Sequence, residues 1–480
     1  MVLGSVSRRA KGFAAGSVGW RAAVALACAL IPVAGAAQAP LPANAGAEWR
    51  IVKAAWGPED EKGFEDFVQG IGRSDCASLE ECLGGEANPY RQSDRRAFGG
   101  DCADMAYILR AYYAWKNGLP FSYQNAMRTA DGSRQDIRYS TSGNIVAGRR
   151  DAVAKKPVSG PHFIAQIGGE VSTAMFRTHP QTGGGRLHDD FYPVKISREA
   201  VRPGVVAYDI YGHVGIVYDV LDDGRILLVA SHPDDTVTRT TYGANFLRAK
   251  PELGAGLKAW RPVSIDGAKK AADGTLRGGK LKAARNEDIA DYSLEQFYGT
   301  TPGASAEWHF GEFEFNGRSL SYYDYVRRKL AAPGFAYNPI DELRHGMQSI
   351  CSAIKDRKVA VDRAVAAGIP HKTHPARLPY NIYGTYGAWE DYSTPSRDAR
   401  LKVSFLDLRR STQELVEHFA AGDPSVQYDG DNLPRDLWAA FEDVKNGCTI
   451  VYRRSNDTRV RLNLGHVMDR LWDLSFDPYH

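Results

Sequence analysis

The sequence has no G-x-x-x-x-G-K-[ST] loop, no glycine fingerprint for a dinucleotide and no zinc-knuckle spacing. These absences remove the common phosphate-cradling and zinc-ribbon chemistries. It also has no internal repeat and no long low-complexity tract. A charge excess of either sign is missing, with 60 Lys and Arg against 57 Asp and Glu. Four of the basic residues, Arg8, Arg9, Lys11 and Arg21, sit in an N-terminal segment that has no acid, which leaves 56 against 57 for the remainder. So even a balance supplies no field for nucleic acid or an anionic membrane surface. Beyond residue 37 no apolar run is long enough to span a bilayer. What remains, in 480 residues that are 43% hydrophobic, 24% charged and 11% aromatic, is a globular chain of two or three domains.

Residues 1–39 read as a secretory signal peptide. Basic residues lead, the apolar run AAVALACALIPVAGAA follows over Ala22–Ala37, and small residues offer cleavage sites near 36–39. The run is short and rich in small side chains, so no stable membrane anchor is expected after cleavage, and the location is periplasmic or secreted. Export gives meaning to the few cysteines. Without Cys28 there are five: Cys76, Cys82, Cys102, Cys351 and Cys448. Cys76 and Cys82 lie six apart in a turn-rich stretch that suits a local bridge. Cys351 and Cys448 both fall in the C-terminal third, and joining them is the most economical pairing. It leaves Cys102 as a lone thiol.

The pattern along the chain predicts an α+β protein. A mixed segment over 45–97 contains a helical stretch at Gly57–Gly72, and residues 98–262 alternate helix and strand signals. The Gly/Lys/Ala-rich stretch 263–290 reads as a linker. Residues 291–480 turn helical, with 3.6-residue periodicity over Ser319–Ala331 and Pro339–Ala367, a start at Thr394-Pro395, and a further helix over Pro434–Gly447.

In FGGDCADMAYILRAYYAWKNGLPF (Phe98–Phe121), two glycines and Asp101 break regular structure before a helix. The spacing places Met105, Ile108, Leu109, Tyr112 and Trp115 on one face. Asp101 can cap it, which puts Cys102 in the first turn, where free N–H groups and the helix dipole favour a thiolate and can hold an oxyanion. A nucleophilic cysteine needs a base. In VRPGVVAYDIYGHVGIVYDVLDDGRILLVASHPDD (Val201–Asp235), the turn signal Asp222-Asp223-Gly224 pairs two strands so that His213 faces residues 230–233, including His232. His213 is the candidate base and His232 its orienting partner. Asp219 lies some 20 Å along the strand and is a weaker rival, whereas Asp234 and Asp235 are nearer ones.

The segment PGVVAYDIYGHVGIVYDVLDDGRILLVASH is similar to the second half of NlpC/P60 and CHAP domains, papain-like amidases and endopeptidases of the cell wall. The resemblance implies a papain-like core of N-terminal helix plus antiparallel sheet over 98–262, with an appended α-helical domain. It implies Cys102 as nucleophile, His213 as base, His232 as third polar residue, and a peptidoglycan peptide or protein as substrate, with no cofactor and no metal. Asp101-Cys102-Ala103-Asp104 departs from the usual Asp-Cys-Ser-Gly. GDCADMAYILRAYYAWKNGLPF looks more like the cysteine helix of a transglutaminase-like domain. The 111-residue interval from Cys102 to His213 implies an insertion around Thr129–Arg186. A transglutaminase-like acyltransferase or peptidase, and a non-catalytic periplasmic binding protein on a papain-like core, are the alternatives.

Elsewhere, His371 and His374 are flanked by prolines that argue against a metal-ligand helix. His179, His188, Asp189 and Asp190 read as members of a solvated, glycine-rich loop. Aromatics crowd Tyr380–Pro395, a pattern best explained by packing between helices.

Overall fold

The structure is a computed structural model and describes residues 46–91, 98–152, 158–180, 187–301, 307–378, 381–382, 388–392, 394–454, 456–471 and 473. The expected signal segment with Cys28, and residues 380, 383–387 and 393 of the aromatic stretch 380–395, lie outside the described residues.

Helix α1 (Pro58–Arg73) begins with proline at its first position and three acids in its first turn. The fixed φ of proline and the positive helix end explain both preferences. Helix α2 (Cys102–Asn117) ends at Gly118, whose φ of +65° lets the chain turn away. One apolar face was expected for α2, but every residue from Cys102 to Lys116 is buried. The helix runs between α1, helix α3 (Gly160–Glu170) and the central sheet. Its two cations are accommodated there. The Arg110 guanidinium makes paired hydrogen bonds to Glu61 at 2.7 and 2.8 Å and lies 3.3 Å over Trp56. Lys116 Nζ lies 3.7 Å over Trp115. A Cβ on Gly160 would come within 2.4 Å of the Trp115 ring, so α3 approaches α2 this closely only through glycine.

The sheet contains β1 (Phe191–Pro193), β2 (Val206–Asp209), β3 (His213–Val220), β4 (Ile226–Ser231), β5 (Val237–Thr241) and β6 (Gly256–Trp260), in the order β1-β6-β2-β3-β4-β5, antiparallel throughout. The β3–β4 turn falls where Asp222-Asp223-Gly224 predicts it. Alternation divides the faces. Val206, Tyr208, Val214, Ile216 and Val229 join Phe64, Val68 and the residues of α2 in one core. Ala207, Val217 and Leu228 join Tyr242, Phe246, Tyr322 and Tyr325 in a second core on the opposite face.

Two expected segments differ. Residues 263–290, read as a linker, form two ladders: Val263–Asp266 with Lys280–Ala283, and Lys269–Lys270 with Leu276–Arg277. Main-chain hydrogen bonds from Ile265 to Ala54 and from Leu276 to Ile51, both 2.7 Å, tie them to the N-terminal segment. Local composition carries no trace of those distant acceptors. The region from 291 is also not uniformly helical. Helix α4 (Tyr322–Leu330) supplies the sheet's second core, and a hairpin, Phe313–Phe315 with Arg318–Leu320, precedes it. A separate third core of Leu343, Met347, Ile350, Ile354, Leu401, Phe405 and Leu437 is built by α5 (Pro339–Ala366), α6 (Thr394–Ala420) and α7 (Leu433–Gly447). The class is thus α+β, with helices and antiparallel strands in one chain.

Cys76 bridges Cys82, and Cys351 on α5 bridges Cys448 just past α7. These are the expected pairings, and they suit an oxidising compartment. Among the described residues no helix is long and apolar enough to cross a membrane. The second bridge spans 97 residues, so its loss frees a long loop in the unfolded chain. Replacing both Cys351 and Cys448 by serine is expected to destabilise the three-helix region by roughly 2–4 kcal/mol. Urea unfolding followed by far-ultraviolet circular dichroism would measure this; an unchanged midpoint would contradict it.

Candidate functional site

Asp101 caps α2, accepting the N–H groups of Ala103 and Asp104 at 2.9 and 3.2 Å, while the Asp104 carboxylate accepts the Asp101 N–H at 3.1 Å. This reciprocal box fixes Cys102 as the first helical residue. The Ser231 hydroxyl donates to the Gly100 carbonyl at 2.6 Å, pinning the helix entry to the end of β4. Cys102 is buried and is the free cysteine of the described residues. Its Sγ lies 3.9 Å from the Gly212 carbonyl, and the Val214 N–H faces it. The thiol therefore sits against the backbone that leads into β3.

The helix start alone predicts a depressed thiol pKa. The structure reverses this. Burial pushes the Cys102 thiol far up, and the neighbouring Asp101 and Asp104 carboxylates push the same way, outweighing the Val214 N–H. Burial and Asp101 also raise Asp104 well above the carboxylate range. The folded state therefore holds a proton at Asp104 that the unfolded chain releases near pH 4. By linkage, the stability from this group is present in full below that pH and is lost as pH rises through the raised folded value. Asp104→Asn is expected to flatten the decline of the melting temperature between pH 4 and neutrality. An unaltered decline would exclude Asp104 as its source.

His213 opens β3 and His232 follows β4. Register brings them together as expected: their rings stack at 5.3 Å between centroids, 17° from parallel. His232 Nε2 lies 2.8 Å from the Thr238 hydroxyl. The His213 ring also packs 5.7 Å from Phe246 of the second core, whereas its neighbour Val214 belongs to the core containing Cys102. The histidine pair thus lies on the sheet face opposite α2. No hydrogen bond among the described residues joins the His213 ring to Cys102 Sγ. The expected nucleophile and base thus approach the backbone of residues 212–214 from opposite faces of the sheet and are not in contact.

Composition and motif reading missed what covers the histidines. From α6, Arg400 donates to the Asp209 carboxylate at 2.9 Å, and Asp209 is the residue opposite His213 in the β2–β3 register. Arg397 donates to the Thr236 hydroxyl at 3.0 Å and lies 3.6 Å from Asp234. Arg363 of α5 donates to the Asp234 carbonyl at 2.7 Å. Burial, then the Arg400 and Arg397 charges, hold His213 well below its ordinary pKa. Burial, then Arg397, does the same for His232. Both imidazoles are neutral at neutral pH. Arg397 and Arg400 stand three apart on one helix face, but nothing local links that face to residues 209–236.

The rival carboxylates are engaged elsewhere. Asp219 pairs with Arg73 of α1 at 2.7 Å, Asp234 with Arg397, and Asp235 turns the chain with a φ of +60°. The expected solvated loop at His188–Asp190 is instead buried structure. Arg149 binds Asp190 at 2.5 Å, the Tyr107 hydroxyl donates to Asp190 at 2.9 Å, and Arg261 donates to the Asp189 carbonyl at 2.9 Å. Burial and the two arginines lower His188 to about 3, so it stays uncharged. Residues 181–186 of that loop lie outside the described residues. His374 is exposed, with Nδ1 at 2.7 Å from the Pro375 carbonyl.

Asp223, Glu342 and His345 bring three potential metal donors together. Arg327 already fills the position between the two carboxylates, at 2.6 Å from Glu342 and 3.5 Å from Asp223. No protein-family model, curated protein or solved structure matches this chain.

Proposed function

We propose that this chain is an exported, papain-like cysteine hydrolase that cleaves amide bonds in peptidoglycan peptides. One observation carries the reading. A free cysteine begins a helix packed on an antiparallel sheet, and its sulfur lies against the backbone of a strand whose first residue is a histidine stacked on a second histidine.

In this reading His213 takes the Cys102 thiol proton as Sγ attacks the substrate carbonyl carbon. The C–N bond then breaks, and the proton passes to the leaving amine. Water, deprotonated by His213, hydrolyses the thioester to a carboxylate and restores the thiol. His232 orients the His213 ring. The Cys102 N–H, the first-turn donor not taken up by the Asp101 cap, contributes to the hole for the developing oxyanion. The resting site is closed, with thiol and imidazoles all uncharged. For the proton transfer the thiol and the His213 ring must first be brought into contact, since they lie on opposite faces of the sheet.

The reading is tested by incubating the full chain with purified peptidoglycan and identifying products by mass spectrometry. New amine and carboxyl termini at one peptide bond are expected, and they should disappear when the thiol is blocked after brief exposure to denaturant and refolding. Products that incorporate an added amine instead of water would replace hydrolysis with acyl transfer. Unmodified peptidoglycan in every sample would remove the reading.

A further inference from the structure

The third core, built by α5, α6 and α7, shares no residue with either core of the sheet. It also carries its own disulfide, Cys351–Cys448. What joins this unit to the sheet over the histidines is polar. Arg400 pairs with Asp209, Arg397 with Asp234 and the Thr236 hydroxyl, and Arg363 donates to the Asp234 carbonyl. Farther along, Arg327 of α4 holds Glu342 of α5, an ion pair again. The joint is incompletely satisfied: Arg397 Nε and Asp234 Oδ2 are buried with no hydrogen-bond partner among the described residues. A polar interface between separately cored units of one chain is one that opens readily.

Beneath this joint lie the two stacked rings, His213 at 9% exposure and His232 at 8%. Neither ring has an ion-pair partner among the described residues, whereas Asp209 and Asp234 are both engaged by arginines. A proton on either ring would create a buried cation beside Arg397, Arg400 and the other ring, with no free carboxylate to receive it. Burial and the arginine charges keep both imidazoles neutral while α6 is docked. A ring released to water takes up its proton near its ordinary value of about 6.5. The docked state therefore binds fewer protons than the released one. Its advantage is complete above that pH and is lost as pH falls below it.

The other titratable neighbours act in the opposite sense or stay in place. Burial raises Asp209 of β2, against Arg400, and Asp356 of α5, against Arg397 and Arg239. These two favour the docked state as pH falls toward the range of a free carboxylate. Asp235 turns the chain beyond His232. On the opposite face of the sheet, the Cys102 thiol stands with Asp101 and Asp104 in the cap of α2.

We propose that the α5–α7 unit is an acid-released cover: protonation of the buried His213–His232 pair, pressed against Arg397 and Arg400, lifts α6 from the sheet. Release uncovers the histidine face and leaves α2, with its cap, packed in the first core. The proposal stands whether or not the chain is a hydrolase.

Hydrogen exchange of the full chain, read by mass spectrometry between about pH 7.5 and about pH 5 and corrected for intrinsic rates, tests it. Opening at residues 209–216, 230–238 and 394–402 is expected to rise by up to about thirtyfold for each histidine, less the opposing share of Asp209 and Asp356. Peptides of α2 and of the helices around Cys351 should keep their protection. His213→Gln and His232→Gln should each remove one histidine's share of the rise. Ring-proton NMR of the wild-type chain needs no variant: both histidines should titrate over the pH range in which these segments open. Protection over residues 394–402 that does not change with pH would overturn the proposal. So would an equal rise in the wild-type chain and both variants, rings that do not titrate while the segments open, or loss of protection in α2 at the same pH, which is acid unfolding of the whole chain.

Discussion

Cys102→Ala is expected to reduce amide-bond cleavage at least about a thousandfold while leaving the fold intact. Without the thiol there is no acyl-enzyme, and what remains is the contribution of substrate binding and of the residue 102 N–H at the helix start, as in hydrolases stripped of their nucleophile. Stability should change little. The substitution removes one small buried atom and relieves no hydrogen bond shorter than the 3.9 Å contact to Gly212, so about 1 kcal/mol bounds the effect. Initial rates on a defined peptidoglycan peptide, with thermal melts of both proteins, check this. A variant retaining a tenth or more of the rate would mean that Cys102 is a packing residue. In the wild-type protein, the direction of the thiol shift predicts slow alkylation at neutral pH in the resting state.

Arg400→Leu carries the second large effect, on stability. Asp209 is 1% exposed, and its principal charged partner is the Arg400 guanidinium. Removing that partner leaves an uncompensated buried carboxylate, which costs roughly 3–5 kcal/mol. Asp209→Asn in the Arg400→Leu background should recover most of the loss, because the amide has no charge to neutralise. That rescue separates the ion-pair account from a packing defect. The paired substitution also lifts a positive charge from the histidines. The His213 pKa should then rise toward its ordinary value, as read by NMR titration of the ring protons. Denaturant unfolding of the three proteins decides the matter, and equal stabilities would show that the α6 clamp on β2 contributes nothing.

Local signals in the sequence predicted many of these elements. The helical stretch at Gly57–Gly72 anticipated α1, Asp101 the start of α2, Thr394-Pro395 that of α6, and Asp222-Asp223-Gly224 the β3–β4 turn. Each depends on backbone chemistry within a few residues. The two disulfides followed from counting in a chain whose sequence reads as exported, and the pairing of His213 with His232 from hairpin register, a local rule about sums of positions.

Other features have no local cause. Nothing near residues 263–290 announces that Ile265 and Leu276 hydrogen-bond to residues 51–54. The burial of α2 on every side depends on α1, α3 and the sheet arriving together, and that also explains why Arg110 and Lys116 reside in a core.

By itself the sequence determined the α+β class, the position of Cys102 at a helix start and the adjacency of the two histidines, because capping and strand register are short-range. Tertiary structure alone decided the state of the site. It placed the thiol and the histidine pair on opposite faces of the sheet. It also set Arg397 and Arg400 of α6 over residues 209–236, and let burial outweigh the helix dipole at Cys102. Desolvation and charge pairing depend on what packs around a group: the strand against Cys102 lies 110 residues away in the chain, and the arginines over residues 209–236 more than 150.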